Sequence, residues 1–257
     1  MSLLITAIIL AKNEEKYITE CIKSLSFCDK ILIIDDHSKD TTVEVVNKLG
    51  NKKIKVISHL LNDDFSQSRN FALEKVQSEW VLSIDADEII SEALAFEISS
   101  VISSWTNGVD NNYEGFFIRR IDFIWKRELK YGESGKKLLR LAKKNAGTWV
   151  GKVHEEWKIK GKVGLLNNPI IHYPHQTIEE FLKEINYYTD IRAQELFAKK
   201  IKGYWLTILF YPVGKFVVNY FIKRGFLDKI PGLVFAITMS FHSFLVKGKL
   251  WLMWNKK

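Results

Sequence analysis

Three acidic side chains follow an apolar run in the stretch WVLSIDADEII, residues 80–90, where Asp85, Asp87 and Glu88 end a segment typical of a buried strand. Carboxylates are costly to bury unless a positive group meets them, here a lysine, a helix end or a metal that carries a substrate. Alternate residues of an extended chain point to the same side, so Asp85 and Asp87 can both reach one cation. Oxygen ligands suit Mg²⁺ or Mn²⁺, which usually binds one or two carboxylates together with substrate phosphates. Acidic pairs are common in loops, and the position after an apolar strand is what favours a metal site here.

A second acidic pair, Asp35 and Asp36, follows another apolar run in ILIIDDHSKDTT. One interpretation is a turn and a helix start, because Asp, Ser and Thr cap helices, and Ser38 is then the candidate N-cap. The other interpretation is a nucleotide contact, in which a carboxylate accepts hydrogen bonds from a base N–H or a ribose hydroxyl. The two are compatible, since a capping residue and a ligand residue can be neighbours.

Strands and helices must alternate to position these acids. The apolar patterns predict strands at 3–11, 30–35, 54–59 and 79–86, with helices between them and after the last strand. Gly50 is placed to end the second helix, and Ser91 to cap the fourth. This alternation predicts an α/β domain with a mostly parallel sheet covered by helices. Ligands of such sheets bind beyond the carboxyl ends of the strands, so we expect the two acidic strand ends to share one cleft.

Bulk composition narrows the class of protein. The 257 residues suit one large α/β domain or a domain with an appendage, and 47% hydrophobic residues exclude global disorder. Cys21 and Cys28 cannot form a disulfide framework and are interpreted as core or near-surface thiols in a reducing cytosol. The N-terminal stretch lacks a basic region and a cleavage site, so we expect a first strand there rather than a secretory signal.

The C-terminal segment, residues 199–257, carries the basic charge of the chain. It has eleven Lys or Arg and one acid, so it contributes +10 to a net charge of +8 and the rest of the chain contributes −2. Its two apolar stretches, 203–221 and 230–246, are interrupted by Pro212, Pro231 and lysines, and neither is expected to reach the roughly 20 apolar residues of a spanning helix. Aromatic residues with flanking cations favour amphipathic helices in an anionic membrane surface, and a helical subdomain packed on the core is the alternative.

Four ordered motifs together resemble family 2 glycosyltransferases, in particular bacterial lipopolysaccharide core β-glucosyltransferases of the heptose-glucosylating type. They are AIILAKNEEKYITECIKSL, ILIIDDHSKDTTVEVV, FSQSRNFALEKVQSEWVLSIDADE and the stretch from VGKVHEEW to NYYT. The resemblance covers roughly residues 3–195, and the C-terminal segment is also similar. It implies a GT-A fold, that is, a Rossmann-like mostly parallel sheet with an acceptor-side β insertion. It also implies a nucleotide-diphosphate sugar donor, a divalent metal, Mg²⁺ or Mn²⁺, and inversion at the anomeric carbon.

The resemblance also implies roles for single residues of the donor side. Lys12 and Asn13 match nucleobase contacts, and Asp36 matches the acid that contacts base or ribose. Arg69 matches a nucleotide-side contact, with Asn70 less well matched. Asp85 matches a ribose-side or metal-side acid, and Asp87 matches the principal metal ligand.

An inverting transfer also needs a carboxylate that removes a proton from the acceptor hydroxyl. The motif GKVHEEW supplies Glu155 as the expected base and Glu156 as its rival, because neighbours in an extended segment face opposite ways. The motif departs from the ED pattern of the wider family, and Asp122 is a further alternative. Secondary candidates are His154, His172 as a possible metal or pyrophosphate contact, Arg140 as a phosphate ligand or an exposed side chain, and Trp149 as a sugar platform or a core residue.

We therefore expect a cytoplasmic hexosyltransferase, peripheral to the inner face of the cytoplasmic membrane, that moves glucose from a UDP-sugar to a lipid-linked saccharide. The expected division is a nucleotide-sugar half at 1–110, an acceptor-binding and catalytic half at 111–198, and membrane-associating helices at 199–257. Two alternatives stay open: a polyprenyl-phosphate sugar transferase, which needs no base, and a non-enzymatic basic module that binds a membrane surface or nucleic acid. The slight acidity of the first 198 residues argues against nucleic acid.

Overall fold

The computed structural model describes residues 4–62, 64–106, 112–125, 127–152, 155–174 and 176–255. The chain divides into two compact units. The first unit comprises Met1–Arg120 and Lys137–His172, and the second comprises Ile121–Lys136 and Tyr173–Lys257.

The first unit is built on a parallel sheet. Its strands are β1 (Ile5–Ala11), β2 (Lys30–Asp35), β3 (Ile54–Ser58) and β4 (Trp80–Asp85). They are ordered β3-β2-β1-β4, and the neighbours pair in parallel. The connecting helices are α1 (Ile18–Ser24), α2 (Thr42–Lys48) and α3 (Phe65–Lys75), and α4 (Glu92–Thr106) comes later. This arrangement confirms the predicted α/β class and parallel sheet.

The sheet continues beyond β4 with strands of the middle of the chain. These are β5 (Glu88–Ile90), β6 (Tyr113–Ile124), β8 (Lys136–Lys143), β11 (Lys162–Leu165) and β12 (Ile170–His172). The order after β4 is β8-β6-β12-β5, with β8 antiparallel to β4 and β11 paired with β6. A separate antiparallel hairpin, β9 (Gly147–Val150) with β10 (Glu156–Ile159), follows β8.

Alternation along the strands fills a core on each face of the sheet. Ile9 and Ile33 belong to one buried cluster, whereas Ile8 and Ile34 belong to another. Since successive side chains of a strand point to opposite faces, these strands are buried on both sides, as a sheet covered by helices requires. Each fully buried side chain of this size contributes about 1.5–3 kcal/mol.

Local signals in the sequence have mixed outcomes. Gly50 follows the end of α2 with φ +59°, and Ser91 Oγ accepts a hydrogen bond from Leu94 N at 3.2 Å, so both predicted helix ends are confirmed. Ser38 is not the N-cap of α2, because that helix begins at Thr42 and Ser38 Oγ instead accepts from Asn13 N. Cys21 and Cys28 are fully buried, and burial raises the pKa of both thiols, so they are core residues rather than near-surface thiols.

The second unit is mainly helical. Strand β7 (Arg127–Glu128) pairs with the end of β6, and α5 (Ile178–Ala198) follows. Next come α6 (Trp205–Val217), a π-helical turn (Val218–Ile222), a 3-10 turn (Gly225–Asp228) and α7 (Lys229–Asn255). Helix α5 packs on α7 through a cluster that includes Leu196, Val246 and Leu250.

Of the two C-terminal helical segments, the second is longer than expected and the first is not. Residues Trp205–Ile222 and Gly225–Asn255 are 18 and 31 residues long, and by length and composition both are apolar enough to cross a membrane. Pro231 does not break α7, because it lies in the first helical turn, where its missing N–H has no helical partner to lose. Pro212 lies inside α6 without ending it.

Candidate active site

Asp85, at the end of β4, lies between two buried arginines. Its Oδ1 accepts from Arg69 Nη2 at 2.6 Å, and its Oδ2 accepts from Arg140 Nη2 at 2.6 Å. The arginine side chains are only 3% and 6% exposed. Burial by itself would raise the pKa of Asp85, but the charges and hydrogen bonds of Arg140 and Arg69 hold it well below its usual range. The positive partner that an acidic strand end requires is therefore a pair of arginines at Asp85.

Arg140 is buried and forms ion pairs with two acidic side chains. Besides Asp85, its Nη2 donates to Glu88 Oε1 at 2.9 Å. The interpretation of Arg140 as an exposed side chain is wrong, because β8 lies beside β4 and turns the guanidinium towards the strand end. The neighbouring acids raise the pKa of Arg140 against the lowering effect of burial.

Glu88 supports the loop that follows β4. Its side chain is fully buried, and its Oε2 accepts a hydrogen bond from Asp85 N at 2.9 Å. Burial raises the pKa of Glu88, and Arg140 opposes that rise. Glu88 thus holds the backbone of the loop that presents Asp87.

Asp87 is placed differently from Asp85. Its Oδ2 lies 3.0 Å from His172 Nε2, and its side chain is 24% exposed. The antiparallel pairing of β12 with β5 produces this contact, because it sets His172 opposite Glu88. The structure therefore brings together the two residues that the sequence offered as metal ligands.

Asp87 and His172 together fit a divalent metal ion that takes its remaining ligands from a substrate. No cluster of three His, Cys, Asp or Glu side chains suited to a metal ion occurs among the described residues. A carboxylate and an imidazole leave most coordination positions to other oxygens, which is how Mg²⁺ and Mn²⁺ are held when phosphates complete the shell. Asp85 offers less, since both its oxygens already accept from arginines.

Glu155 belongs to the same network as Asp85. Its Oε1 accepts from Arg69 Nε at 2.8 Å, and its side chain is 14% exposed. Glu156, the rival base, begins β10 with a 67% exposed side chain and pairs with Lys158 in solvent. His154 lies outside the described residues. The structure thus brings Glu155, and not Glu156, to the end of β4.

Trp149 is a core residue, which answers the choice left open by the sequence. Its side chain is 5% exposed and stacks on Trp157 with ring centroids 5.0 Å apart. The guanidinium of Arg69 lies 4.8 Å from the Trp149 ring. A ring buried in this way offers a sugar little surface, so the platform interpretation is wrong.

The ends of β1 and β2 carry the other predicted contacts. Asp36 Oδ2 accepts from Lys12 Nζ at 2.6 Å, and its Oδ1 accepts from Leu61 N at 2.9 Å. Asn13 adopts φ +57° and its Oδ1 accepts from Lys39 N, so it shapes the loop after β1. The sheet register sets Asp35 beside Ala11 and Asp85 beside Leu10, which places both acidic strand ends at one edge, flanking β1.

Two contributors escaped the sequence analysis. Ser83 Oγ accepts from Arg69 Nη1 at 2.6 Å, and its signal was a polar residue within an apolar strand. Asp64 directly precedes α3 and caps it, because its Oδ1 accepts a hydrogen bond from Gln67 N at 3.0 Å. Both fix the helix that carries Arg69.

Known proteins that are similar to this chain are glycosyltransferases. The model of the family described as Glycosyl transferase family 2 matches residues 6–142, more than half of the chain. A Rickettsia conorii protein named as an uncharacterised glycosyltransferase is 28% identical over 96% of this chain and 89% of its own length. The lipopolysaccharide core biosynthesis glycosyltransferase LpsC of Rhizobium meliloti is 24% identical over 96% of this chain and 92% of its own length.

Solved structures show the same fold at low identity. S. aureus TarS 1-349 in complex with UDP-GlcNAc has a TM-score of 0.51 and 15% identity, covering 98% of this chain and 92% of that chain. The mannosyltransferase PcManGT of Pyrobaculum calidifontis, in complex with GDP-Man and Mn²⁺, has a TM-score of 0.53 and 11% identity, covering 100% and 89%. These neighbours confirm the GT-A fold predicted from the motifs. The chain belongs to glycosyl transferase family 2.

Proposed function

We propose that this glycosyltransferase moves a hexose, glucose in the first instance, from a UDP-sugar to a hydroxyl of a lipid-linked saccharide, with inversion of the anomeric carbon. The observation that carries the proposal is the joint placement of Glu155, Asp85 and the Asp87–His172 pair at the carboxyl end of β4. It combines a carboxylate for proton removal with a metal-binding pair for a diphosphate.

The donor nucleotide is proposed to lie along the carboxyl edge of β1, β2 and β4. Lys12, Asn13 and Asp36 would contact base and ribose. The Arg69–Asp85 pair would support this edge of the sheet from the end of β4. Support for a nucleotide sugar comes from the TarS complex with UDP-GlcNAc and the PcManGT complex with GDP-Man and Mn²⁺. Support for a lipopolysaccharide-type acceptor comes from LpsC, named for lipopolysaccharide core biosynthesis.

A divalent metal, Mg²⁺ or Mn²⁺, is proposed to be held by Asp87 and His172. It would neutralise the charge that develops on the leaving diphosphate without a proton transfer. Asp87 would approach the donor from the loop that Glu88 fixes, while Asp85 stays bound to its arginines.

Glu155 is proposed to act as the base. Its carboxylate removes the proton of the acceptor hydroxyl, and the acceptor oxygen bonds to the anomeric carbon as the bond from that carbon to the diphosphate oxygen breaks. Attack from the face opposite the leaving group inverts the sugar. The ion pair with Arg69 supports Glu155 over Glu156, because it alone ties a glutamate of this motif to the strand end.

The helices at 199–257 are proposed to bind the inner face of the cytoplasmic membrane. Helix α6 has no buried residue among those described, and large side chains such as Trp205, Phe210 and Ile230 are more than 60% exposed. Apolar surface of this extent beside lysines and arginines fits an anionic bilayer. The division into a nucleotide-sugar half at 1–110, an acceptor-binding and catalytic half at 111–198 and membrane-associating helices at 199–257 stays a proposal.

The proposal is tested by thermal shift with a panel of nucleotide sugars, with and without Mn²⁺. We expect a UDP-hexose to stabilise the protein only with the metal. Asp87→Asn should remove that shift and lower the melting temperature without ligand by no more than about 3 °C. Glu44→Gln, an exposed acid on α2, is the matched control and should keep the shift. Metal-dependent binding that survives in Asp87→Asn contradicts the metal assignment, and no response to any UDP-sugar contradicts the function. Full transfer by Glu155→Gln would favour a phosphate acceptor instead.

A further inference from the structure

We propose that α3 is a clamp that positions the base, and that Arg69 and Asn70 act as positioning residues rather than as nucleotide ligands. The inference deepens the proposed function and rests on Glu155 being the base. It concerns what holds the β9–β10 hairpin, whose connection carries Glu155, in place against the end of β4.

Asn70 binds the hairpin through both groups of its side-chain amide. Its Nδ2 donates to Trp149 O at 2.9 Å, and its Oδ1 accepts from Trp149 N at 2.9 Å. At the start of the same helix, Phe65 N donates to Lys152 O at 3.0 Å. Trp149 and Trp157 pack the hairpin into the core, and these directional hydrogen bonds from α3 fix its position along the helix.

Arg69 joins the hairpin to the strand end. Its guanidinium donates through Nε to Glu155, through Nη1 to Ser83 and through Nη2 to Asp85, at 2.8, 2.6 and 2.6 Å. The side chain is 3% exposed. A planar fork that is buried and bound to three protein groups sets the distance between those groups, because its donors have fixed directions.

The consequence for Glu155 is a defined orientation. Arg69 holds Oε1, and Asn70 holds the backbone at Trp149, six residues before Glu155. A base must lie within hydrogen-bond reach of the proton it removes, and a displacement of 1 Å can cost about 100-fold in rate. Loss of the clamp should therefore slow turnover without weakening the binding of the donor.

The test compares Arg69→Lys, Asn70→Ala and Glu155→Gln, alone and combined. Turnover is the release of UDP from UDP-glucose with a heptose-bearing core saccharide as acceptor, and affinity is measured for UDP with Mn²⁺. We expect kcat to fall about 100-fold in Arg69→Lys and about 10-fold in Asn70→Ala, with the affinity for UDP changed less than about twofold. Each should lower kcat of Glu155→Gln by less than about twofold, because a base that is already gone cannot be misplaced.

Lys12→Met is the matched control, because it alters a proposed donor contact and leaves the base in place. Its effect on the rate of UDP release should therefore multiply with the effect of Glu155→Gln on that rate. Weaker UDP binding in Arg69→Lys at unchanged kcat, or effects that multiply with Glu155→Gln, overturns the inference. Asn70→Ala serves if Arg69→Lys does not fold, since Asn70 is only partly buried. If the wild-type chain turns over no UDP-sugar, the proposed function fails. Hydrogen exchange of the backbone amides of residues 147–152 then tests whether α3 holds the hairpin. We expect exchange at least about 10-fold faster in Asn70→Ala than in the wild type, and equal rates overturn the inference.

Discussion

The ends of β2 and β4 lie on either side of β1 and both carry acids, but their partners differ. Asp36 is paired with Lys12, whose side chain is 50% exposed. Asp85 is paired with Arg69 and Arg140, whose side chains are 3% and 6% exposed. One acid thus meets a cation in contact with solvent, and the other meets two cations in the interior.

This difference separates a place for ligands from a place for structure. An exposed ion pair contributes little, typically about 0–1 kcal/mol, so a ligand can replace it at small cost. A buried pair cannot lose one member without leaving the other charged and unsolvated, at about 3–5 kcal/mol. The comparison assigns donor contacts to Lys12 and Asp36, and a fixed framework to Asp85.

Asp85→Asn is the strongest challenge to this comparison. Replacing the carboxylate leaves Arg69 and Arg140 facing each other in the interior, with Glu155 and Glu88 as their remaining acidic partners among the described residues. We expect the free energy of unfolding to fall by about 3 kcal/mol, measured by urea denaturation.

The matched control for that change is Asp87→Asn, two residues further along. Asp87 contacts His172 rather than a buried guanidinium, so its replacement leaves no arginine in the interior without an acidic partner and should lower the free energy of unfolding by less than about 1 kcal/mol. Equal losses in the two variants would show that the buried arginines do not depend on Asp85.

Lys12→Met sharpens the other side of the comparison. Lys12 is half exposed, and the largely buried Asp36 keeps its hydrogen bond from Leu61 N when Lys12 is replaced. Stability should therefore change by less than about 1 kcal/mol, whereas the affinity for UDP with Mn²⁺ should fall about 10-fold. Calorimetric titration measures the affinity. Lys23→Met, which breaks an exposed pair with Glu20 on α1, is the control and should leave the affinity unchanged. An unaltered affinity in Lys12→Met would contradict the proposal that the donor binds at the end of β2.

The positions of strands were predictable from the sequence where the residues of the strand itself determine them. The apolar runs that end at Asp35 and Asp85 predicted β2 and β4 to within a residue, since strand composition and acidic ends are local signals. The link between Arg69 and Glu155 was not predictable, because it joins residues 86 positions apart and depends on how the β9–β10 hairpin packs. The length of α7 was missed because Pro231 was interpreted as an interruption, although the first turn of a helix accepts proline.

Glu156→Gln extends the comparison to the pair of glutamates and should have the smallest effect. Glu156 is 67% exposed and its partner Lys158 is 64% exposed, so removing the charge should change the free energy of unfolding by less than about 0.5 kcal/mol. The initial rate of UDP release should change less than about twofold, whereas Glu155→Gln should lower it by at least about 100-fold, because only Glu155 joins the network at the end of β4. A rate that falls in Glu156→Gln and persists in Glu155→Gln would transfer the role of base to the solvent-exposed glutamate, and burial would then be the wrong guide to function at this site.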